Sequence, residues 1–126
     1  MAVRALIIGF PKSGTSTIQT TFEKAGLKAV HWRVGEVYVG QKIYESHFAG
    51  RNPLEHFLDY DAITQTDVCL PGAGLNYWPQ LDLAVLAAIR RHNPDCVFIL
   101  NRRDPEAVAR SIANWGDFQT RLVVSD

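Results

Sequence analysis

The chain has 126 residues, thirteen Lys plus Arg against thirteen Asp plus Glu, 47% apolar and 21% charged residues, and a formal charge of zero. That length and balance suit one globular domain with a sizeable core and exclude a multidomain assembly, a disordered chain and collagen or coiled-coil repeats. With no basic excess, neither nucleic acid nor an anionic membrane is an expected partner, so any anion site must be local.

Ala5-Leu-Ile-Ile-Gly-Phe10 is a continuous apolar run, the pattern of a middle strand buried on both faces of a parallel sheet. Pro11 breaks it. Ile18, Phe22 and Leu27 then recur at helical spacing, with Gly26 as a C-terminal stop. Residues 28–60 carry the weakest pattern: a short strand over 29–32, a helix through Ile43, Tyr44, His47 and Phe48 between Gly40 and Gly50, and a short helix opened by Asn52-Pro53 with Leu54, Phe57 and Leu58. A strand is expected over 62–68, ending near Asp67, followed by the irregular run Leu70-Pro-Gly-Ala-Gly74.

Leu81, Val85, Leu86 and Ile89 predict an amphipathic helix whose last turn holds Arg90, Arg91 and His92, the charge sign that a helix C-terminus favours. Asn93-Pro94 stops it. Residues 96–100, Cys-Val-Phe-Ile-Leu, form a second apolar strand, and Asp104-Pro105-Glu106 reads as N-cap, N1 proline and acidic first turn of a helix burying Val108, Ile112 and Trp115. Strands alternating with helices predict an α/β fold with a parallel sheet flanked by helices, a single domain over 1–126.

Cys69 and Cys96 have no C-x-x-C spacing and no histidine pair at ligand distance, so no metal is expected and the compartment reads as reducing. The opening apolar run is shorter than a membrane span and lacks a cleavage site behind it, which makes the cytoplasm the expected location.

The chemistry concentrates at Gly9-Phe-Pro-Lys-Ser-Gly14-Thr-Ser16, between the first strand and the first helix. Backbone N–H groups from Ser13 to Ser16 would point outward at a helix start, where free donors and the positive dipole end favour an anion. Against the Walker A pattern G-x-x-x-x-G-K-[ST], both glycines and Ser16 fit, but Thr15 stands at the lysine position and the lysine is Lys12. A structural turn with an exposed Lys12 is the bland alternative.

Pro11-Lys12-Ser13-Gly14-Thr15-Ser16 resembles the P-K-S-G-T-T loop of sulfotransferases that use 3′-phosphoadenosine 5′-phosphosulfate. That family carries a second signature, an arginine at a strand end and a serine eight residues later in the following helix. Arg103 and Ser111 stand at that spacing. The resemblance implies a P-loop NTPase-like three-layer sandwich, the N-terminal portion of a longer domain and incomplete at the C-terminus. It also implies a 5′-phosphate cradle of Ser13, Gly14, Thr15, Ser16 and Thr17, with Arg103 and Ser111 on the 3′-phosphate. Lys12 would stabilise charge on the bridging oxygen of the departing phosphate, without a metal ion. Thr17 replaces the tryptophan that many members use to stack on the adenine, and nothing matches their C-terminal glycine-rich segment.

An acceptor hydroxyl or amine, on a small molecule or glycan, also needs a base. Asp67 at its strand end is the first candidate and His31 the reserve; a turn cap and a packed core histidine are their structural alternatives. Trp32, Tyr38, Tyr44, Phe48, Tyr77 and Trp78 either line an acceptor pocket or pack the core. Two rival readings remain: a phosphate-loop kinase or NTPase holding Mg²⁺ through Ser16 and Asp67, and a non-catalytic nucleotide-binding module.

Overall fold

The computed structural model describes residues 2–8, 15–100 and 104–113. The apolar run at the start forms β1 (Ala5–Ile8), which has a parallel neighbour on either side: β5 (Ala62–Gln65), in register Leu6↔Ile63, and β8 (Val97–Leu100), in register Ile8↔Leu100. β2 (Ala29–His31) pairs parallel with the far side of β5. A hairpin of β3 (Arg33–Val34) and β4 (Val37–Tyr38) continues the sheet antiparallel, giving six strands in the order β4-β3-β2-β5-β1-β8. The expected α/β fold with a parallel sheet flanked by helices is therefore present, with β1 in its interior.

Helices α1 (Thr15–Lys24), α2 (Val39–Phe48), α3 (Leu83–His92) and α4 (Pro105–Ala113) connect the strands. One face of the sheet presents Leu6, Val30 and Ile63 to Val39 and Ile43 of α2 and to Val85, Leu86 and Ile89 of α3, with Leu54 and Phe57 filling the space beneath. Each such fully buried side chain contributes about 1.5–3 kcal/mol. Residues that alternate to the other face, among them Ala62 and Thr64, are buried on the side where α1 packs over β2 and β5.

The expected stop of α1 holds. Gly26 lies at φ +84°, Leu27 N donates to Phe22 O at 2.9 Å and Gly26 N to Glu23 O at 3.0 Å, the paired bonds of a glycine C-cap. Asp104 caps α4 as predicted, its carboxylate accepting from Glu106 N at 3.3 Å.

Three boundaries differ from the sequence expectation. The strand predicted over 62–68 divides: β5 ends at Gln65, the chain leaves the sheet at Thr66 and Asp67, and β6 (Val68–Leu70) joins β7 (Leu75–Tyr77) in a separate antiparallel pair. The reason is polar. Thr66 and Asp67 are buried against the side chain of Gln80 rather than continuing a strand ladder. Leu81 is not in α3 but in a 3₁₀ turn, Pro79–Leu81, because Asp82 takes the N-cap and accepts from Ala84 N at 3.1 Å and Val85 N at 3.3 Å. The segment after Asn52-Pro53 is a single 3₁₀ turn, Glu55–Phe57.

Candidate functional site

Because β2, β5, β1 and β8 are parallel, their carboxyl ends share one edge of the sheet, the edge at which open α/β folds bind ligands. Helix α1 starts at this edge, so the positive dipole end of its first turn lies there. Thr15, Ser16 and Thr17 are the first residues of α1; Ser111 lies in α4. Lys12, Ser13, Gly14 and Arg103 lie outside the described residues. Their segments leave from adjacent strand ends, since Ile8 and Leu100 are register partners.

Asp67 stands just past β5 at this edge and is only 3% exposed. Its Oδ1 accepts from Gln80 Nε2 at 2.9 Å and its Oδ2 from Gln65 Nε2 at 3.3 Å. The other end of the Gln80 amide accepts from Thr66 Oγ1 at 2.9 Å, so one glutamine fixes both residues of the strand exit. Helix α2 closes in on the same turn: a Cβ built on Gly40 would overlap the carbonyl oxygen of Thr66. Only glycine permits that approach.

His31 ends β2, where the register with β5 shifts. Its Nδ1 lies 2.9 Å from Thr64 Oγ1, which places the imidazole on the α1 face of the sheet. The Thr64 hydroxyl donates to Val30 O at 3.1 Å. Desolvation of the half-buried ring lowers its pKa below the ordinary 6.5. Trp32 follows at φ +48°, a left-handed conformation rare for a bulky residue. Its N–H donates to Gln65 O at 2.8 Å and its carbonyl accepts from Val39 N at 2.9 Å, so the strained turn ties β2, β5 and α2 together.

Five of the six aromatic residues form two groups rather than one lining, while the Trp78 indole N–H donates to Asn76 Oδ1 at 2.6 Å. Trp32 packs on Tyr38 with ring centres 5.5 Å apart and Arg33 over its face at 5.3 Å, at the carboxyl edge. Tyr44, packed against the core, contacts Phe48 and Tyr77 at 5.8 and 5.6 Å. A cavity of about 230 Å³ lies beside α2, lined by Val34, Val37, Lys42, His56, Phe57 and Tyr60. Among the described residues no group of three His, Cys, Asp or Glu is placed to hold a metal ion, and no helix is long and apolar enough to cross a membrane.

Gln65, Gln80, Thr64, Thr66 and Gly40 were not singled out as site residues from the sequence. Polar Thr64 and Thr66 inside an apolar run were a readable signal of buried hydrogen bonding; nothing local marks Gln80, whose reach to Asp67 depends on the path of the intervening hairpin.

A parallel sheet whose first strand feeds a helix at the carboxyl edge, with a buried carboxylate and a half-buried histidine on neighbouring strand ends, is an α/β domain of the class in which ligands bind at that edge. The model of the sulfotransferase domain family matches residues 4–123, nearly the whole chain, and the protein belongs to that family. No curated protein matches it.

Proposed function

We propose that the chain binds 3′-phosphoadenosine 5′-phosphosulfate along the carboxyl edge and directs its sulfonyl group to a hydroxyl or amine acceptor. The observation that carries this reading is the parallel pairing of β1 with β8, which starts the Lys12 and Arg103 segments from neighbouring strand ends about 4.8 Å apart. Residues 13–17, with the amides opening α1, would hold the 5′-phosphate; Arg103 and Ser111 would hold the 3′-phosphate, the guanidinium offering a planar fork of donors.

The bound donor supplies an activated sulfonyl group with one less negative charge than a phosphoryl group. Lys12 and backbone donors then suffice to stabilise the charge that grows on the leaving side. Asp67 is the carboxylate of the acceptor side, kept in place by Gln80 and Gln65.

Calorimetry tests the reading. The protein is expected to bind 3′-phosphoadenosine 5′-phosphate without Mg²⁺ and to bind ADP more weakly, and Arg103→Ala should remove most of that preference. Binding of ADP only with Mg²⁺, and none of the 3′-phosphorylated nucleotide, would identify a kinase or NTPase instead.

A further inference from the structure

We propose that the β3–β4 hairpin selects an acceptor that carries an oxyanion of its own, a carboxylate or a sulfate or phosphate ester, besides the hydroxyl or amine to be sulfonated. Arg33 is the residue that determines this specificity. The inference rests on the sulfonyl-transfer reading above and names the class of acceptor within it.

Arg33 is an exposed cation held in one place. Its guanidinium lies over the face of Trp32, 5.3 Å from the ring centre, and Tyr38 packs against the same indole at 5.5 Å. Stacking of this kind uses the flat face of a guanidinium and leaves its in-plane N–H donors open. Among the described residues, neither that guanidinium nor the Trp32 indole N–H nor the Tyr38 hydroxyl has a hydrogen-bond or ion-pair partner. The hairpin's one carboxylate, Glu36, lies at the tip beyond the Val34–Val37 pair and forms no ion pair with Arg33. Arg4, Arg51 and Arg110, by contrast, each pair with a carboxylate. Arg90 is stacked on Phe98 in a similar way, but it belongs to the last turn of α3, which leads to the amino end of β8 and so to the opposite edge of the sheet.

Position agrees with this. β2 ends at the carboxyl edge with His31, the register partner of Arg33. Val34 turns to the core beneath α2, so alternation along the strand turns Arg33, and with it its partner Tyr38, to the face that α1 covers. The donors of the hairpin and the start of α1 thus share one face and one edge of the sheet. In the order β3-β2-β5-β1, β3 stands three strand spacings, about 14 Å, from β1, a separation suited to an acceptor of one or two rings. Trp32 at φ +48° holds a conformation that persists only where the surroundings over-determine it, and its backbone bonds with Gln65 and Val39 do so. The indole that carries Arg33 is therefore fixed to β5 and α2 before a ligand arrives, which lowers the ordering cost of binding. Two parallel N–H donors of a guanidinium fit a carboxylate, sulfate or phosphate, while the indole N–H and the phenol supply neutral donors of the kind that orient ring hydroxyls.

NMR titration of the full chain tests the proposal, read at the Trp32 indole N–H signal, which is assigned through its loss in Trp32→Phe. Methyl glucuronide, glucose 6-sulfate and glucose 6-phosphate are the probes, and methyl glucoside is their neutral counterpart. At least one of the three anions is expected to shift the signal saturably while the glucoside does not, and which of them does so tells a carboxylate from an ester. Arg33→Gln should weaken that binding about 10-fold or more and Arg33→Lys by less, with the amide spectrum outside the hairpin unchanged. No shift with any anion, or an equal shift with the glucoside, overturns the proposal. Inorganic sulfate bound as tightly as the sugar anions would reduce the site to a bare ion contact and overturn it too. The sugar anion should also bind alongside saturating 3′-phosphoadenosine 5′-phosphate; its displacement would show that the hairpin holds the donor, not the acceptor. A protein that keeps the anion-dependent shift but does not bind 3′-phosphoadenosine 5′-phosphate would refute the sulfonyl-transfer reading and leave the anion site standing.

Discussion

Asn52 and Asn93 exchange two side-chain hydrogen bonds, Asn52 Nδ2 to Asn93 Oδ1 at 3.0 Å and Asn93 Nδ2 to Asn52 Oδ1 at 2.8 Å. Each also serves its own element: Asn52 Oδ1 accepts from Leu54 N at 3.0 Å, and Asn93 Nδ2 donates to Ile89 O at 3.0 Å. The start of one turn and the stop of α3 are thereby joined across the molecule.

Asn93→Ala is expected to cost about 1–3 kcal/mol, because it strands polar atoms of Asn52 and Ile89 in a largely buried place. Chemical denaturation would show it as a lower midpoint at unchanged slope. A midpoint within error of wild type would mean that water replaces the pair without loss.

Gly40→Ala should destabilise by about 1–3 kcal/mol through the clash of its Cβ with the Thr66 carbonyl. Because that carbonyl belongs to the turn carrying Asp67, the amide signals of Thr66 to Val68 should also shift. The comparison is Gly50→Ala: Gly50 lies at φ +76° with open space around it, so strain is expected there but no shift at the Asp67 turn.

Tyr44 donates to Asp82 Oδ2 at 2.7 Å. This bond is the largest cause holding the Asp82 carboxyl below its usual range, while burial and then Asp82 itself push the Tyr44 hydroxyl far above its own. An aspartate depressed by folding contributes stability that is full above its unfolded pKa and lost as pH falls through the folded value. Tyr44→Phe should therefore cost about 0.5–1.5 kcal/mol near neutrality and move the acid loss of stability to higher pH. Urea titrations along a pH series would reveal both effects.

The His31 pKa is displaced downward as well, in its case by a burial that disfavours the charged form. Burial lowers its folded pKa below 6.5, so the unfolded chain takes up the proton first as pH falls. Stability is full above 6.5 and declines below it, levelling off under the folded pKa. His31→Gln should remove this component, which thermal unfolding at about pH 7.5 and pH 5.5 can resolve. An equal drop in both proteins would place the sensitivity elsewhere.

Much of this was legible from residues alone. The runs at β1 and β8, the capping Asp104, the glycine stop of α1 and the basic last turn of α3 are local signals, set by apolar periodicity and backbone chemistry over a few residues, and they define the alternating α/β order. The motif residues of the first loop and of the segment after β8 are also local, and they pointed to the sulfotransferase family. Tertiary structure alone decided which polar groups meet. That Gln80 fixes Asp67, that Thr64 meets the His31 ring, that two asparagines read as separate punctuation bind one another, and that a predicted strand breaks at Thr66 all depend on hydrogen bonds between residues distant in the chain. A buried polar atom must find a partner wherever the fold supplies one, and no local pattern records where that is.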